Sequence, residues 1–393
     1  MARVISSGMS ANLYVHLPWC VSKCPYCDFN SYERDPVVAE DEYVRALLMD
    51  LDCDLDAWGA IEFASVFIGG GTPSLFSGGA IAALLDGLSA RCVFEDDIEI
   101  TLEANPGTVD AARFRDFRAA GVNRLSIGVQ SFDDGKLQAL GRIHDGAEAR
   151  CAIDAARDAG FGNLNLDLMF GLPGDRPGDG VVDLEQAMAF TPEHISWYQL
   201  TIEEGTAFAR KPPPLPGHDQ ICDDYEHGVE RLAQGGFVQY EISAYARSGR
   251  EARHNLNYWR FGDYLGIGAG AHGKRTDATE IVRTVKVRHP RRYIKQARRG
   301  GALESEQAIA GATLATEFML NALRLKQGFT LRDFEWSTRL PASVIVAPLE
   351  KAVDRGWLHQ TDGRVEPTAR GFRFLNDLQI LFTDLEEEVD AHA

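Results

Sequence analysis

Cys20, Cys24 and Cys27 fall within His16-Leu-Pro-Trp-Cys-Val-Ser-Lys-Cys-Pro-Tyr-Cys-Asp-Phe-Asn-Ser31, a spacing short enough for three thiolates to grip one inorganic cluster. A cuboidal iron–sulfur cluster has four irons and usually takes four thiolates. A Cys-x3-Cys-x2-Cys loop holds only three, leaving the fourth iron open to a small chelating ligand. Three ligands suggest chemistry at the cluster, four suggest electron transfer. Other readings of the same residues exist. Positions i, i+4 and i+7 share a helix face and would suit a buried stripe of small apolar side chains, but Pro18 and Pro25 interrupt such a helix. A structural zinc site needs a fourth ligand, for which His16 is the near candidate. Cys24-Pro-Tyr-Cys27 alone reads as a thiol-redox motif, a reading that leaves Cys20 without a role.

The elements that would position this loop are legible in the hydrophobic pattern. Short apolar or β-branched runs at Leu13–Leu17, Ser65–Ile68, Ile98–Leu102, Arg124–Val129, Asn163–Met169 and His194–Leu200 read as strands. Helix-period segments lie between them at Asp41–Ala57, Ala80–Arg91, Asp110–Ala120, Ala147–Gly160, Gly180–Ala189 and Asp219–Gly235. A β-α repeat demands a parallel sheet, and right-handed crossovers curl it. Six units fall short of the eight of a closed barrel. The expectation is therefore an α/β fold, a partial (β/α)6 barrel with an open side and ligands gathered at the C-terminal ends of the strands. That domain is read as residues 1–240. A connecting region, 241–302, follows, then a small, mostly helical, winged-helix-like domain over 303–393, whose acidic tail Asp384–Asp390 is expected to fray.

Composition sets the class. A chain of 393 residues with 45% hydrophobic content buries a sizeable core. Beyond the three clustered cysteines, Cys53, Cys92, Cys151 and Cys222 are scattered without spacing, as in a reducing, cytoplasmic interior. The first ten residues lack a long apolar core, and no stretch approaches the ~20 apolar residues of a membrane span. A formal charge of −18 argues against general nucleic-acid binding. One basic run, Arg283–Arg299, dissents, and suits a carboxylate ligand or an anionic membrane surface unless it is simply a solvated face.

Downstream motifs fall where the strands end. Gly69-Gly-Gly-Thr-Pro-Ser74 lets backbone approach a ligand closely, although a glycine loop alone is also an ordinary turn. Glu103, Gln130 and Asp167 stand in or just after apolar strands, where an unpaired polar group costs ~1–3 kcal/mol. Further on, His254-Asn-Leu-Asn-Tyr-Trp259 and Asp263–Gly273 combine aromatics, histidines and glycines like a binding surface.

The cysteine motif, Gly69–Pro73, Glu103, Gln130 and Asn165-Leu-Asp-Leu together resemble the radical S-adenosylmethionine (SAM) superfamily, and within it the HemN-like branch. Longer stretches resemble the HemW-type heme chaperones of that branch: Tyr14-Val-His-Leu-Pro-Trp-Cys, Cys-Pro-Tyr-Cys-Asp-Phe-Asn-Ser31, Leu140-Gly-Arg-Ile-His144, Ser196-Trp-Tyr-Gln-Leu-Thr201, His254–Trp259 and Phe374-Leu-Asn376. The resemblance implies a [4Fe-4S] cluster on Cys20, Cys24 and Cys27, whose unique iron chelates SAM. It also implies a SAM environment of Tyr14, Tyr26, Gly70, Gly71, Thr72, Glu103, Gln130, Arg142 and Asp167. Glycine-loop backbone would meet the SAM amino group, Tyr26 the adenine, the Arg142 fork a carboxylate and Asp167 a hydroxyl. The implied cargo is heme, passed to apo-hemoproteins, membrane-bound respiratory complexes among them, by a cytoplasmic protein with a peripheral contact at the inner face of the membrane. His254, then His272, are the heme-ligand candidates. The alternative within the branch is an oxygen-independent coproporphyrinogen III oxidase. Those enzymes carry another cysteine two residues after the third ligand, where this chain has Phe29, and a long N-terminal extension, where this chain has nineteen residues before Cys20. Both departures point to the chaperone and leave open whether the chain is an enzyme at all.

Overall fold

The computed structural model describes residues 10–59 and 61–385, so the acidic tail lies outside the described residues from 386 onward. Six parallel strands form the centre: β1 Ala11–Leu17, β2 Glu62–Gly70, β3 Val93–Ala104, β4 Arg124–Gln130, β5 Leu164–Phe170 and β6 His194–Gln199. Each pairs in parallel with the next. Helices α1 Glu40–Trp58, α2 Gly78–Ser89, α3 Ala111–Ala120, α4 Gly146–Asp158, α5 Asp179–Ala189 and α6 His218–Gln234 alternate with them. Several helix starts are written locally. Ser77 accepts from Ala80 N, Asp110 from Arg113 N, and Asp145 forms a capping box with Glu148.

The period-two alternation of the strands decides which side chains reach the site. One set, including Leu13, Val15, Val66, Ile68, Leu102, Leu125, Ile127, Leu164, Leu166, Ile195 and Trp197, joins the main hydrophobic core. The intervening set is polar: Tyr14 and His16, Thr101 and Glu103, Ser126 and Gln130, Asn165 and Asp167, Ser196 and Tyr198. Strands read as apolar runs thus carry polar residues at many of the alternate positions, and Glu103, Ser126, Gln130, Asp167, Ser196 and Tyr198 among them line one cleft.

The stretch 241–302 differs from the connecting region expected of it. After α7 Arg253–Trp259 it supplies β9 Tyr264–Ile267, β10 His272–Thr276 and β11 Ile281–Lys286, then α8 Pro290–Ala297. With β7 Val238–Glu241, β8 Ala244–Ala246 and β12 Leu303–Ile309, these build one twelve-stranded sheet in the order β12-β11-β10-β9-β1-β2-β3-β4-β5-β6-β8-β7. β9 adds to β1 in parallel, while β10, β11 and β12 run antiparallel. The basic residues of Ile281–Lys286 hid a strand because several are spent internally. Arg283 pairs with Glu317 and Tyr264, and the buried Lys286 Nζ bonds Asp50 at 2.8 Å and Asp54 at 2.7 Å. Tyr293 Oη also donates to Asp50 at 2.8 Å, locking this edge of the sheet onto α1.

A second core gathers α9 Gly311–Ala322, α10 Leu331–Thr338 and α11 Ser343–Asp354. A three-stranded sheet of Phe329–Thr330, Arg364–Pro367 and Leu358–Thr361 completes a winged-helix-like unit. Phe261 and Ile281 contribute to the same core, so the C-terminal unit packs directly against the extended sheet.

Candidate functional site

A cleft of about 510 Å³ opens at the C-terminal ends of the central strands, and all three motif cysteines line it. Cys20 ends the short strand Trp19–Cys20, which pairs with Tyr32–Glu33 and closes the loop at its base. Tyr32 N donates to Pro18 O at 2.7 Å and Arg34 N to Cys20 O at 2.9 Å. The glycine loop docks on the same base, with Gly71 N on Leu17 O at 2.8 Å and Thr72 N on Trp19 O at 2.7 Å. A Cβ at Gly71 would meet Trp19 O at 2.6 Å, so only glycine permits this approach.

Arg142 reaches into the cleft from the turn that follows the short helix Asp134–Ala139 after β4. Its Nη2 donates to Gly128 O at 2.9 Å and its Nη1 faces Cys24 Sγ at 3.7 Å, while its buried Nε has no partner among the described residues. Glu103 Oε2 accepts from Gly70 N at 3.0 Å. Burial first, and the neighbouring Asp167 second, push the Glu103 carboxyl up to about 7. Asp167 is also raised by burial, against donors Ser126 Oγ at 2.8 Å and Asn165 Nδ2 at 2.8 Å. Gln130 sits at φ 66° where the β4–β5 register shifts, and accepts from Tyr198 Oη at 2.9 Å. A non-glycine residue held in the left-handed region beside a cleft is the kind of backbone strain found at functional sites.

The residues fit a cluster with a small chelating ligand. All three thiols are unbridged, and burial pushes Cys20 and Cys27 up, a penalty that a bound cation reverses. Among the described residues no three metal-ligating side chains converge on a single ion. A four-iron cluster does not require that convergence, because each thiolate binds a different iron. An arginine with a free Nε and a carboxyl poised near neutrality suit a ligand carrying both a carboxylate and an amino group. A larger groove of about 970 Å³ along α1 and α2 contains none of these groups.

Of the expected SAM residues, Tyr26, Gly70, Gly71, Thr72, Glu103, Gln130, Arg142 and Asp167 line the cleft. Tyr14 lies one layer beneath, its Oη 2.9 Å from His16 Nδ1. His16 is no zinc ligand, because its Nε2 meets Asn30 O at 3.0 Å and both ring nitrogens are thereby occupied. His254 is also withdrawn from ligand duty. It is buried, with Nδ1 3.0 Å from Ser65 Oγ, Nε2 3.2 Å from Tyr258 Oη and its ring stacked on Phe67. Burial, then Arg124, lower it to about 3. His272 is exposed at the start of β10, outside the cleft. Sequence reasoning passed over Ser126, Ser196 and Tyr198 as site residues; the signal available was their alternation with the apolar positions of β4 and β6.

Two family models match the chain: the radical SAM superfamily over residues 14–185 and the HemN C-terminal domain over 309–374. The heme chaperone HemW of Haemophilus influenzae is 47% identical over 376 residues, covering 94% of this chain and 97% of its own length. That of Escherichia coli is 48% identical over 372 residues, with the same coverage. The chain belongs to the HemW family. The fold also matches the E. coli coproporphyrinogen III oxidase HemN, a radical SAM enzyme, with a TM-score of 0.80 at 22% identity over 95% of this chain and 90% of that one. This shows shared architecture and not shared activity. In this HemW-family chain Phe29 is 60% exposed at the cleft mouth.

Proposed function

We propose that this protein is a heme chaperone that retains a SAM-binding radical SAM centre. The observation that carries the reading is similarity to HemW proteins over 94% of the chain, joined to one cleft that unites the three cysteines with Glu103 and Arg142. Cys20, Cys24 and Cys27 would hold a [4Fe-4S] cluster. When bound with SAM, such a centre supplies one-electron reductive chemistry. The chain's own residues bind and orient. Arg142 offers its fork to a carboxylate, Glu103 and the Gly70–Thr72 backbone receive an amino group, Asp167 accepts from a hydroxyl, and Tyr26 flanks the adenine.

Heme is the cargo, and apo-hemoproteins, including those of membrane-bound respiratory complexes, are the recipients. No helix among the described residues is long and apolar enough to cross a membrane. A peripheral contact at the inner face is supported by the exposed Arg292, Lys295 and Arg299 of the α8 region, since their neighbours Arg291 and Arg298 are engaged by Asp35 and Glu42.

The test is anaerobic reconstitution followed by iron analysis and spectroscopy of the reduced centre with and without SAM, then heme titration. About four irons per chain, a SAM-dependent spectral change and near-stoichiometric heme support the reading. Absence of iron and of any response to SAM overturns the radical SAM part, and absence of heme binding overturns the chaperone part.

A further inference from the structure

Behind Asp167, which lines the cleft, the interior holds a line of polar side chains that runs away from the ligand side. Asn165 Nδ2 lies 2.8 Å from Asp167 Oδ1 and 2.7 Å from Ser126 Oγ. A carboxylate oxygen only accepts, so the amide must face it with its NH2 group. Both amide hydrogens are then used and the amide oxygen points the other way. That oxygen is 2.6 Å from His194 Nδ1 and 3.1 Å from Ser196 Oγ. Having no hydrogen to give, it fixes the proton of His194 on Nδ1. Nε2 is left bare and meets Tyr240 Oη at 2.8 Å, so the tyrosine hydroxyl donates to it, while accepting from Ala252 N at 3.3 Å.

Every hydrogen in this chain therefore points toward Asp167, from the entry to α7 through β7 and β6 to β5. Asn165, His194 and Tyr240 are buried, and none of the three lines the cleft. The bare Nε2 requires a neutral ring, and burial first, then the Arg124 cation, lower His194 well below its ordinary pKa. Ser126 Oγ passes its own hydrogen to Asp167 Oδ2 at 2.8 Å. Burial raises the Asp167 carboxyl and these donors oppose the rise. Each of its oxygens has a fixed donor and acceptor capacity to spare, which suits a ligand with two adjacent hydroxyls.

We propose that Tyr240, His194 and Asn165 are positioning residues for the SAM ribose: a one-way chain of donors that holds Asp167 as a pure acceptor for the vicinal hydroxyls. Selectivity for a diol-bearing ligand is thus set by residues that do not touch it. This inference rests on the reading that the cleft binds SAM.

The experiment is titration of the reconstituted full chain, wild type against His194→Phe and His194→Asn, with SAM and with its analogue lacking both ribose hydroxyls. Iron content is followed in parallel. The wild type should prefer SAM. His194→Phe should weaken SAM at least about tenfold and leave the affinity for the analogue within about twofold. His194→Asn keeps an N–H donor where Nδ1 stood and should recover most of the SAM affinity. A wild type that binds both ligands alike, a His194→Phe variant with unchanged SAM affinity, or equal losses for SAM and the analogue overturns the chain while leaving the SAM reading intact. A wild type that binds neither ligand overturns the SAM reading itself. A second measurement needs no substitution: nitrogen-15 shifts of the histidine-labelled wild type should show His194 neutral with its proton on Nδ1. A proton on Nε2 overturns the proposal even where a variant fails to fold.

Discussion

His16 stands directly beneath Gly70. A Cβ at Gly70 would come within 2.6 Å of the His16 ring, and the backbone there has φ +118°. The same ring bridges Tyr14 Oη and Asn30 O, so one buried imidazole braces the glycine loop from below and the cluster loop from the side. Gly70→Ala should therefore cost about 1–3 kcal/mol of stability through backbone strain and weaken SAM binding at least about tenfold. Thermal unfolding and calorimetric SAM titration of the reconstituted protein check both. An alanine variant with unchanged SAM affinity removes this brace from the account.

Glu103 makes the cofactor-free protein sensitive to pH. Its folded value, about 7, lies above the ordinary 4.5, so the folded state keeps a proton that the unfolded state releases. Stability is then greatest below about 4.5, falls as pH rises, and levels off above about 7. The change is on the order of 3 kcal/mol. Glu103→Gln should flatten denaturant-derived stability across this window. Binding a cationic amino group beside Glu103 should also expel its proton, which calorimetry in buffers of different ionisation enthalpy will detect near pH 6–7.

His254→Ala should destabilise and do little else. The imidazole fills a buried slot against Phe67 and bonds Ser65 and Tyr258, so its loss creates a cavity and an unpaired polar neighbour, about 2–4 kcal/mol together. Heme spectra of the folded variant should match the wild type. A changed axial ligand field would reinstate His254 as a ligand.

The edge of the sheet depends on a buried charge pair. Lys286→Met leaves Asp50, wholly buried, without its cation, at a cost of about 3–5 kcal/mol. Replacing Asp50 by Asn and Lys286 by Met together should recover part of that loss, and a double-mutant cycle in denaturant measures the recovery.

The central architecture was legible because its signals are local. Apolar runs such as Arg124–Val129, alternating with helix-period segments, foretold the six-unit partial barrel, and Glu103, Gln130 and Asp167 were readable as polar breaks in apolar strands. What escaped depended on partners far away in the chain. His254 looks like a binding residue until Ser65 and Tyr258 are seen to satisfy both of its ring nitrogens. Ile281–Lys286 looks like a solvated basic run until Asp50 and Glu317 take its charges. Distances of 34 to 236 positions along the chain separate those ion pairs, and no local pattern encodes them.

The account's central claim is that the chain delivers heme and does not make porphyrin. Reconstituted protein loaded with heme should transfer it to an apo-cytochrome, followed by the rise of the cytochrome spectrum. The same preparation, given coproporphyrinogen III, SAM and a reductant, should yield no protoporphyrinogen. Heme that stays with the protein while protoporphyrinogen accumulates would contradict the account.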